Sequence, residues 1–455
     1  MKPQVHHIFF SIGLVFGVII LWLTPPFQSP DETNHYHRSA HIASGHLMGD
    51  VRDGNRLGGE IDGSLLTYTM YFDSIRQSVD PTFDDRDFVY GRGLTHTGDT
   101  FVDFANVGYY SPTVYLPQAV GFGLASLLRL SPYLSLYLTR LVSLLVWLTL
   151  IGLAIKIIPI QKVLFAYLAL LPSSMSLASC VSGDTFTSSM SYLWVALLLR
   201  GILTDHRVST REFIMLCIIT GLITVNKVVY FPLVLMILLV PSERLNRGNL
   251  SKGIILLLTL LMLLLWIPYS GSLFIPYSEY SPIYREMQQL NPPAHPRAQL
   301  AWILAHPLTF TQVLVTSYLD SAPATIAHFI GKYGWDHRYL HPVMLGLLGL
   351  GVGILSLSRA EMQPRLNPKA RIILISIGLV MLAGLSVSLY MQWSPVGHYR
   401  IRSLSGRYLI PIMPVMLIAL SQITYQRQRL VDLIAGVLSV IGLVSLVIGM
   451  YVTWY

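Results

Sequence analysis

Apolar runs of membrane length recur along this chain and limit its fold more than any other feature. A crossing helix needs about 20 apolar residues. Such runs lie near 8–24, 137–155, 163–181, 185–203, 253–270, 341–358, 371–391, 407–424 and 431–453, with shorter ones at 212–226 and 229–241. The whole chain is 53% hydrophobic and 12% charged, with a mean hydropathy of +0.56. That is too apolar for a soluble domain. The expected fold is therefore all-α: a polytopic transmembrane helix bundle of about 11–12 spans, forming one integral membrane domain over residues 1–455. The pair 212–226 and 229–241 is too short to cross fully twice. Residues 109–131 carry Pro112 and Pro117 early and read either as a span or as a re-entrant or interfacial helix. The first run ends at Thr24-Pro25-Pro26 with no small-residue cleavage site, which reads as an uncleaved span.

Charge separates the remainder. Residues 25–112 hold 13 of the 23 acids and 6 of the 31 bases, a net of −7, and the rest of the chain carries +15. Basic clusters fall in alternate connections: Lys156 with Lys162; Arg200, Arg207 and Arg211; Arg244, Arg247 and Lys252; Arg359, Arg365, Lys369 and Arg371; Arg427 with Arg429. The positive-inside bias puts these on the cytoplasmic side. It makes 25–112 a large first extracytoplasmic loop and 271–340 a second. No basic stripe interleaved with exposed aromatics is present, so nucleic acid is not an expected partner. Cys180 and Cys217 both sit in apolar runs and imply no disulfide framework.

Polar residues next to the spans are the candidates for chemistry. Ser29-Pro30-Asp31-Glu32 reads as a helix start, with Ser29 as N-cap and Glu32 closing a capping box onto it. Capping alone would account for Asp31 and Glu32; equally, two carboxylates held anionic where the chain leaves the bilayer suit a base. Asp184 has the same two readings, a helix cap after Ser182-Gly183 or a wall of the same cavity. Lys227, bounded by two membrane runs, either snorkels or contacts a phosphate. Arg400, Arg402 and Arg407 lie on the outer side against the charge bias. They pair either with the acidic loop or with a phosphate headgroup, which guanidinium groups recognise well. Asp31 with His35, and His37 with His41, have the i,i+4 spacing of a metal pair, although no HExxH motif accompanies them; an interfacial polar helix is the plainer reading. The segment from Gly331 to Arg338 reads as a substrate-contacting loop or an interfacial anchor.

Four stretches together resemble a known family: PPFQSPDETNHYHR after the first span, YYSPTVYLPQAVG, LLPSSMSLASCVSGD and SGRYLIPIMP. It is a family of polytopic bacterial membrane proteins under a domain-of-unknown-function label, grouped with the GT-C superfamily of integral membrane glycosyltransferases. The similarity runs from about residue 8 to 424. It implies a GT-C-like bundle in the bacterial inner membrane that takes a sugar from a polyprenyl-phosphate donor on the outer face and passes it to a glycan or lipid acceptor. By position Asp31 matches the first-loop carboxylate that serves as base, with Glu32 second. Lys227, in TVNK, is similar to the lysine that approaches the donor phosphate in lipid A aminosugar and mannosyl transferases. Arg407-Tyr408 resembles their late Arg-Tyr element, and His35, Asp184, Arg400 and Arg402 join the expected substrate contacts. The sequence departs from those enzymes in having no Asp-x-Asp pair, which leaves a divalent metal open, and no large C-terminal soluble domain, which argues against an oligosaccharyltransferase acting on protein. A transporter or flippase for lipid-linked saccharides, or an assembly subunit, is the alternative.

Overall fold

The computed structural model describes residues 4–76, 82–287, 294–335, 338–359, 363–421, 423–424 and 428–455. Of the positions singled out above, Asp336, His337 and Arg427 lie outside the described residues. The fold is a helical membrane bundle with a small folded cap. The first span is α1 (Val5–Leu23). The acidic loop then folds into α2 (Glu32–Ala43), β1 (Asp50–Arg52), β2 (Arg56–Asp62), α3 (Gly63–Arg76), α4 (Asp85–Val89) and β3 (Asp99–Asp103). β2 is the middle strand, antiparallel to both neighbours, with Val51 opposite Leu57 and Gly59 opposite Val102. The otherwise all-α architecture thus carries one three-stranded sheet, and it presses α2 onto the bundle. Gly59 is what permits this contact, since a Cβ there would lie 2.2 Å from His41 Nε2. A polar helix consequently becomes almost wholly buried.

Fewer helices cross alone than the runs suggest. Six described helices are long and apolar enough to span, or seven if a bent pair counts as one. They are α1, α6 (Pro132–Ile157), α9 (Gly183–Leu203), α11 (Asn249–Leu273), α15 (Pro368–Trp393) and α17 (Gln428–Trp454). The bent pair is α12 (Pro296–Ala305) with α13 (Pro307–Gly331), at 109°. The second expected loop, 271–340, is therefore largely helical.

The other runs are divided, each for a physical reason. α5 (Leu116–Leu127) has 12 residues, about 18 Å, too short for a crossing. It turns back at once alongside the first half of α6, with Gly121 against Thr139. This matches the re-entrant or interfacial alternative. The run 163–181 splits into α7 (Lys162–Ala169) and α8 (Pro172–Ala178) at Pro172, which has no N–H to donate. Ser174 Oγ covers part of the break by donating to the Leu168 carbonyl, 2.9 Å. α10 (Thr210–Asn226) is followed by a 12-residue 3₁₀ segment, Val228–Leu239. At about 2.0 Å per residue that segment covers about 24 Å. It runs from Tyr230, bonded to the Tyr408 carbonyl, back towards Arg244, bonded to the Gly201 carbonyl at the opposite end. Its length falls short of the roughly 30 Å hydrocarbon core, and neither part is among the helices long and apolar enough to span, in keeping with the expectation that this pair does not cross fully twice. α14 (Pro342–Leu357) and α16 (Met413–Ala419) complete the bundle, and a two-residue parallel pairing, β4 (Ser358–Arg359) with β5 (Ile423–Thr424), ties its basic end.

Candidate functional site

The C-terminal end of α1, the N-terminal end of α9 and the C-terminal ends of α10 and α15 meet beneath the folded cap. Here the structure brings together Asp31, His35, Asp184, Lys227, Arg407 and Tyr408, all lining one cleft of only about 40 Å³. Arg200 near the C-terminal end of α9, Arg211 at the N-terminal end of α10 and Arg371 near the N-terminal end of α15 lie at the other ends of these helices.

Asp31 occupies the N-cap position of α2 but does not cap it. Its backbone is left-handed, φ 65°, a conformation that costs about 1–3 kcal/mol in a non-glycine residue and persists where surroundings enforce it. The carboxylate instead accepts from Arg407 Nη2 at 2.5 Å. Ser29 is not the cap either; its carbonyl accepts from the Glu32 N–H at 3.2 Å. The capping pattern loses because both carboxylates have guanidinium partners. Glu32 turns away from the cleft. Its oxygens take Arg140 Nε at 2.8 Å and Nη2 at 2.6 Å, and one also accepts the Val181 N–H at 2.9 Å. Both side chains of that pair are fully buried. Glu32 thus anchors the loop to α6 and the turn before α9, and it does not face the cleft as Asp31 does.

Asp184 is not the cap of α9, because Ser182 Oγ accepts the Asp184 N–H at 3.2 Å. Its carboxylate is free to pair with Lys227 Nζ through one oxygen and to sit 3.8 Å from Arg407 Nε through the other. Asn226, the residue before Lys227, accepts from Thr113 Oγ1 at 2.6 Å, which pins the end of α10 to the 112–115 turn. Gly406 places Arg407 by letting α13 approach: a Cβ there would lie 2.1 Å from the Phe329 backbone nitrogen. Tyr408 receives a bond from Arg407 on its hydroxyl at 3.0 Å, and its ring lies 4.7 Å from Lys227 Nζ. Two acids and two bases therefore neutralise one another across the cleft. At such separations each contact is worth about 4 kcal/mol of Coulomb attraction near a protein surface, before desolvation is subtracted.

His35 sits one turn along α2 with Nδ1 2.7 Å from the Tyr115 hydroxyl. Burial pushes its pKa down to about 4, so it is neutral at physiological pH. Burial pushes Asp31 up, but the Arg407 charge and its hydrogen bond outweigh it and hold the carboxyl below its usual range. The site keeps Asp31 anionic and offers a neutral imidazole beside it.

Of the two i,i+4 pairs, Asp31 and His35 share the cleft, but His37 and His41 take separate partners. His37 Nε2 bonds Thr69 Oγ1 at 3.0 Å, whereas His41 takes Arg38 at 2.9 Å and Asp50 at 3.2 Å. Arg400 pairs with Asp320 at 2.9 Å on an exposed surface, and the Arg402 side chain is exposed. Neither lines the cleft. Residues beyond the sequence reading do: Asn106, Tyr109, Tyr110, Gln392 and Trp393. Arg140 was missed although it left a signal, a lone arginine inside a long apolar run, which is costly unless paired.

Two larger spaces adjoin the cleft. One of about 910 Å³ is an apolar groove between the 3₁₀ segment, α11 and α15, walled by Val228, Phe231, Ile267, Val380 and Val387, and joined to the cleft at Tyr109 and Gln392. The other, of about 290 Å³, lies on the far side of Asp31, Trp393, Arg407 and Tyr408. Neither the curated proteins nor the solved structures contain a match to this sequence. The sequence does match the family described as Predicted membrane protein (DUF2142) over residues 14–416, a span that includes every candidate residue above. This polytopic helical chain belongs to the DUF2142 family of predicted membrane proteins.

Proposed function

We propose that this protein is a glycosyltransferase of the GT-C type, which moves a sugar from a polyprenyl-phosphate-linked donor to a cell-envelope glycan or lipid acceptor at the outer face of the bacterial inner membrane. One observation carries the reading: Lys227 and Arg407 stand where a membrane-level apolar groove meets a cleft containing the anionic Asp31. The groove suits an isoprenoid tail, and the two cations suit the phosphate at its head. In the transfer step the acceptor oxygen attacks the anomeric carbon and its proton passes to Asp31. The bond from that carbon to the phosphate oxygen breaks, and the electron pair stays on the leaving phosphate, stabilised by Lys227 and Arg407. Both cations are paired with acids beforehand, so the donor phosphate must displace Asp184 from Lys227. The alternative, a transporter or flippase for lipid-linked saccharides, draws on the interrupted helices beside the site, where Pro172, Pro232 and Pro268 fall.

The test is transfer by purified protein from a radiolabelled polyprenyl-phosphate sugar to envelope extract. The reading expects labelled glycan or lipid with wild type and loss with Asp31→Asn. Equal transfer by both removes Asp31 from the chemistry, and tracer crossing vesicles without transfer favours the transporter.

A further inference from the structure

Lys332, Tyr333, Gly334 and Trp335, from the segment singled out in the sequence for its aromatic and polar character, do not line the donor side of the site. They form one wall of the 290 Å³ cleft beyond Asp31. The wall opposite comes from Ser173 and Ser176 of α8, and Ser403 and Ser405 close it beside Arg407. Hydroxyl groups and aromatic rings thus share its lining with Lys332 and His328, and Trp335 is held in place by donating its Nε1–H to the Phe27 carbonyl at 3.1 Å. Among the described residues, Asp31 is the one carboxylate that lines this cleft. The apolar groove is much larger, carries the branched aliphatic side chains Val228, Val229, Ile267, Val380 and Val387, and reaches the charged cleft from the α11 and α15 side.

We infer that this second cleft binds the acceptor, and that the acceptor is a saccharide presented to Asp31 from the side opposite the lipid groove. This rests on the transferase reading for its purpose but not for its chemistry. Sugars offer hydroxyls to serine side chains and flat C–H faces to aromatic rings, and sites for small ligands combine an apolar surface with a few placed polar groups in this way. Asp31, Arg407 and Tyr408 form the partition, so a hydroxyl in this cleft and a phosphate in the other meet across one layer of side chains.

Labelling of single cysteines tests this without measuring transfer. In full-length protein carrying Cys180→Ala and Cys217→Ala, Ser403→Cys reports on the second cleft and Ser272→Cys on the groove; both serines are exposed. Maleimide labelling rates are measured with oligosaccharide released by mild acid from the cells' own envelope glycan, and separately with a polyprenyl phosphate. At ten times its Kd the oligosaccharide slows labelling at Ser403→Cys about tenfold by mass action and leaves Ser272→Cys unchanged. Adding Trp335→Ala removes that protection. The inference is overturned if millimolar oligosaccharide leaves Ser403→Cys unprotected, if it protects Ser272→Cys instead, or if the polyprenyl phosphate protects Ser403→Cys. Polyprenyl phosphate protecting neither position would sink the lipid-donor reading while leaving the saccharide cleft standing.

Discussion

Asp31 and Glu32 are adjacent carboxylates with opposite duties, and mutating each to its amide should separate stability from activity. Glu32→Gln removes the charge that neutralises Arg140 inside the bundle. Arg140 would keep the Thr24 and Pro25 carbonyls at 2.6 and 3.1 Å but lose its counter-ion, and the new amide NH₂ would face a guanidinium. Removing one partner of a buried pair costs about 3–5 kcal/mol, a large share of the stability of a typical domain. Asp31→Asn removes a pair whose side chains are 18% and 22% exposed. Arg407 keeps Asp184 at 3.8 Å and the Tyr408 hydroxyl at 3.0 Å, and asparagine tolerates the left-handed backbone at position 31 well. That change should cost clearly less than Glu32→Gln, whose pair is fully enclosed. It should nevertheless lower the transfer rate by about two to four orders of magnitude, the usual contribution of a general base. Unfolding in detergent followed by circular dichroism, together with transfer rate per folded molecule, gives both quantities. A Glu32→Gln protein as stable as wild type, or an Asp31→Asn protein destabilised as much as Glu32→Gln, would refute the division of roles.

Lys227→Gln should weaken binding of a polyprenyl phosphate, read by tryptophan quenching in detergent, by about 1.5–3 kcal/mol, the worth of a charged hydrogen bond. Unchanged affinity would place the phosphate elsewhere. Gly406→Ala should destabilise the protein by about 1–3 kcal/mol and displace Arg407, because its Cβ meets α13 backbone rather than a yielding side chain; wild-type thermal stability would contradict this. The pH dependence has a definite sign. His35 and His41 are both pushed down to about 4 by burial, so between about 6.5 and 4 the unfolded chain binds protons that the folded chain does not. Stability should be lost as pH drops from about 6.5 to 4, and His35→Gln should flatten part of the slope. The Asp31 carboxyl is held below its usual range, so its contribution is present above the unfolded value and is lost only as pH falls through the folded one.

The sequence disclosed the helical membrane class and most of the charged cluster, because ionisable residues bordering apolar runs stand out against their background. Lys227 and Arg407 were legible on that ground, and Asp31 was legible through the family resemblance. Local pattern misled where a distant partner outbid it. The Ser29 capping box is a sound local motif, but Arg407 and Arg140 are separated from Asp31 and Glu32 by hundreds and by about a hundred residues, and no local rule weighs them. The same holds for Arg400, whose counter-ion Asp320 comes from α13. Among the described residues six helices, or seven with the bent pair, are long and apolar enough to span alone, and hydropathy cannot tell such a straight helix from the broken α7–α8 passage or from a 3₁₀ segment of 12 residues. The sheet under the cap was hidden in short strands whose glycines read equally well as turns.

The central claim is that Asp31 serves chemistry on a lipid-linked sugar. Its most direct test is the surface glycan of cells lacking this protein, complemented with wild type or Asp31→Asn at matched membrane levels. The account predicts that wild type restores a missing sugar and Asp31→Asn does not. Equal restoration by both would contradict it and leave transport or assembly as the role of the site.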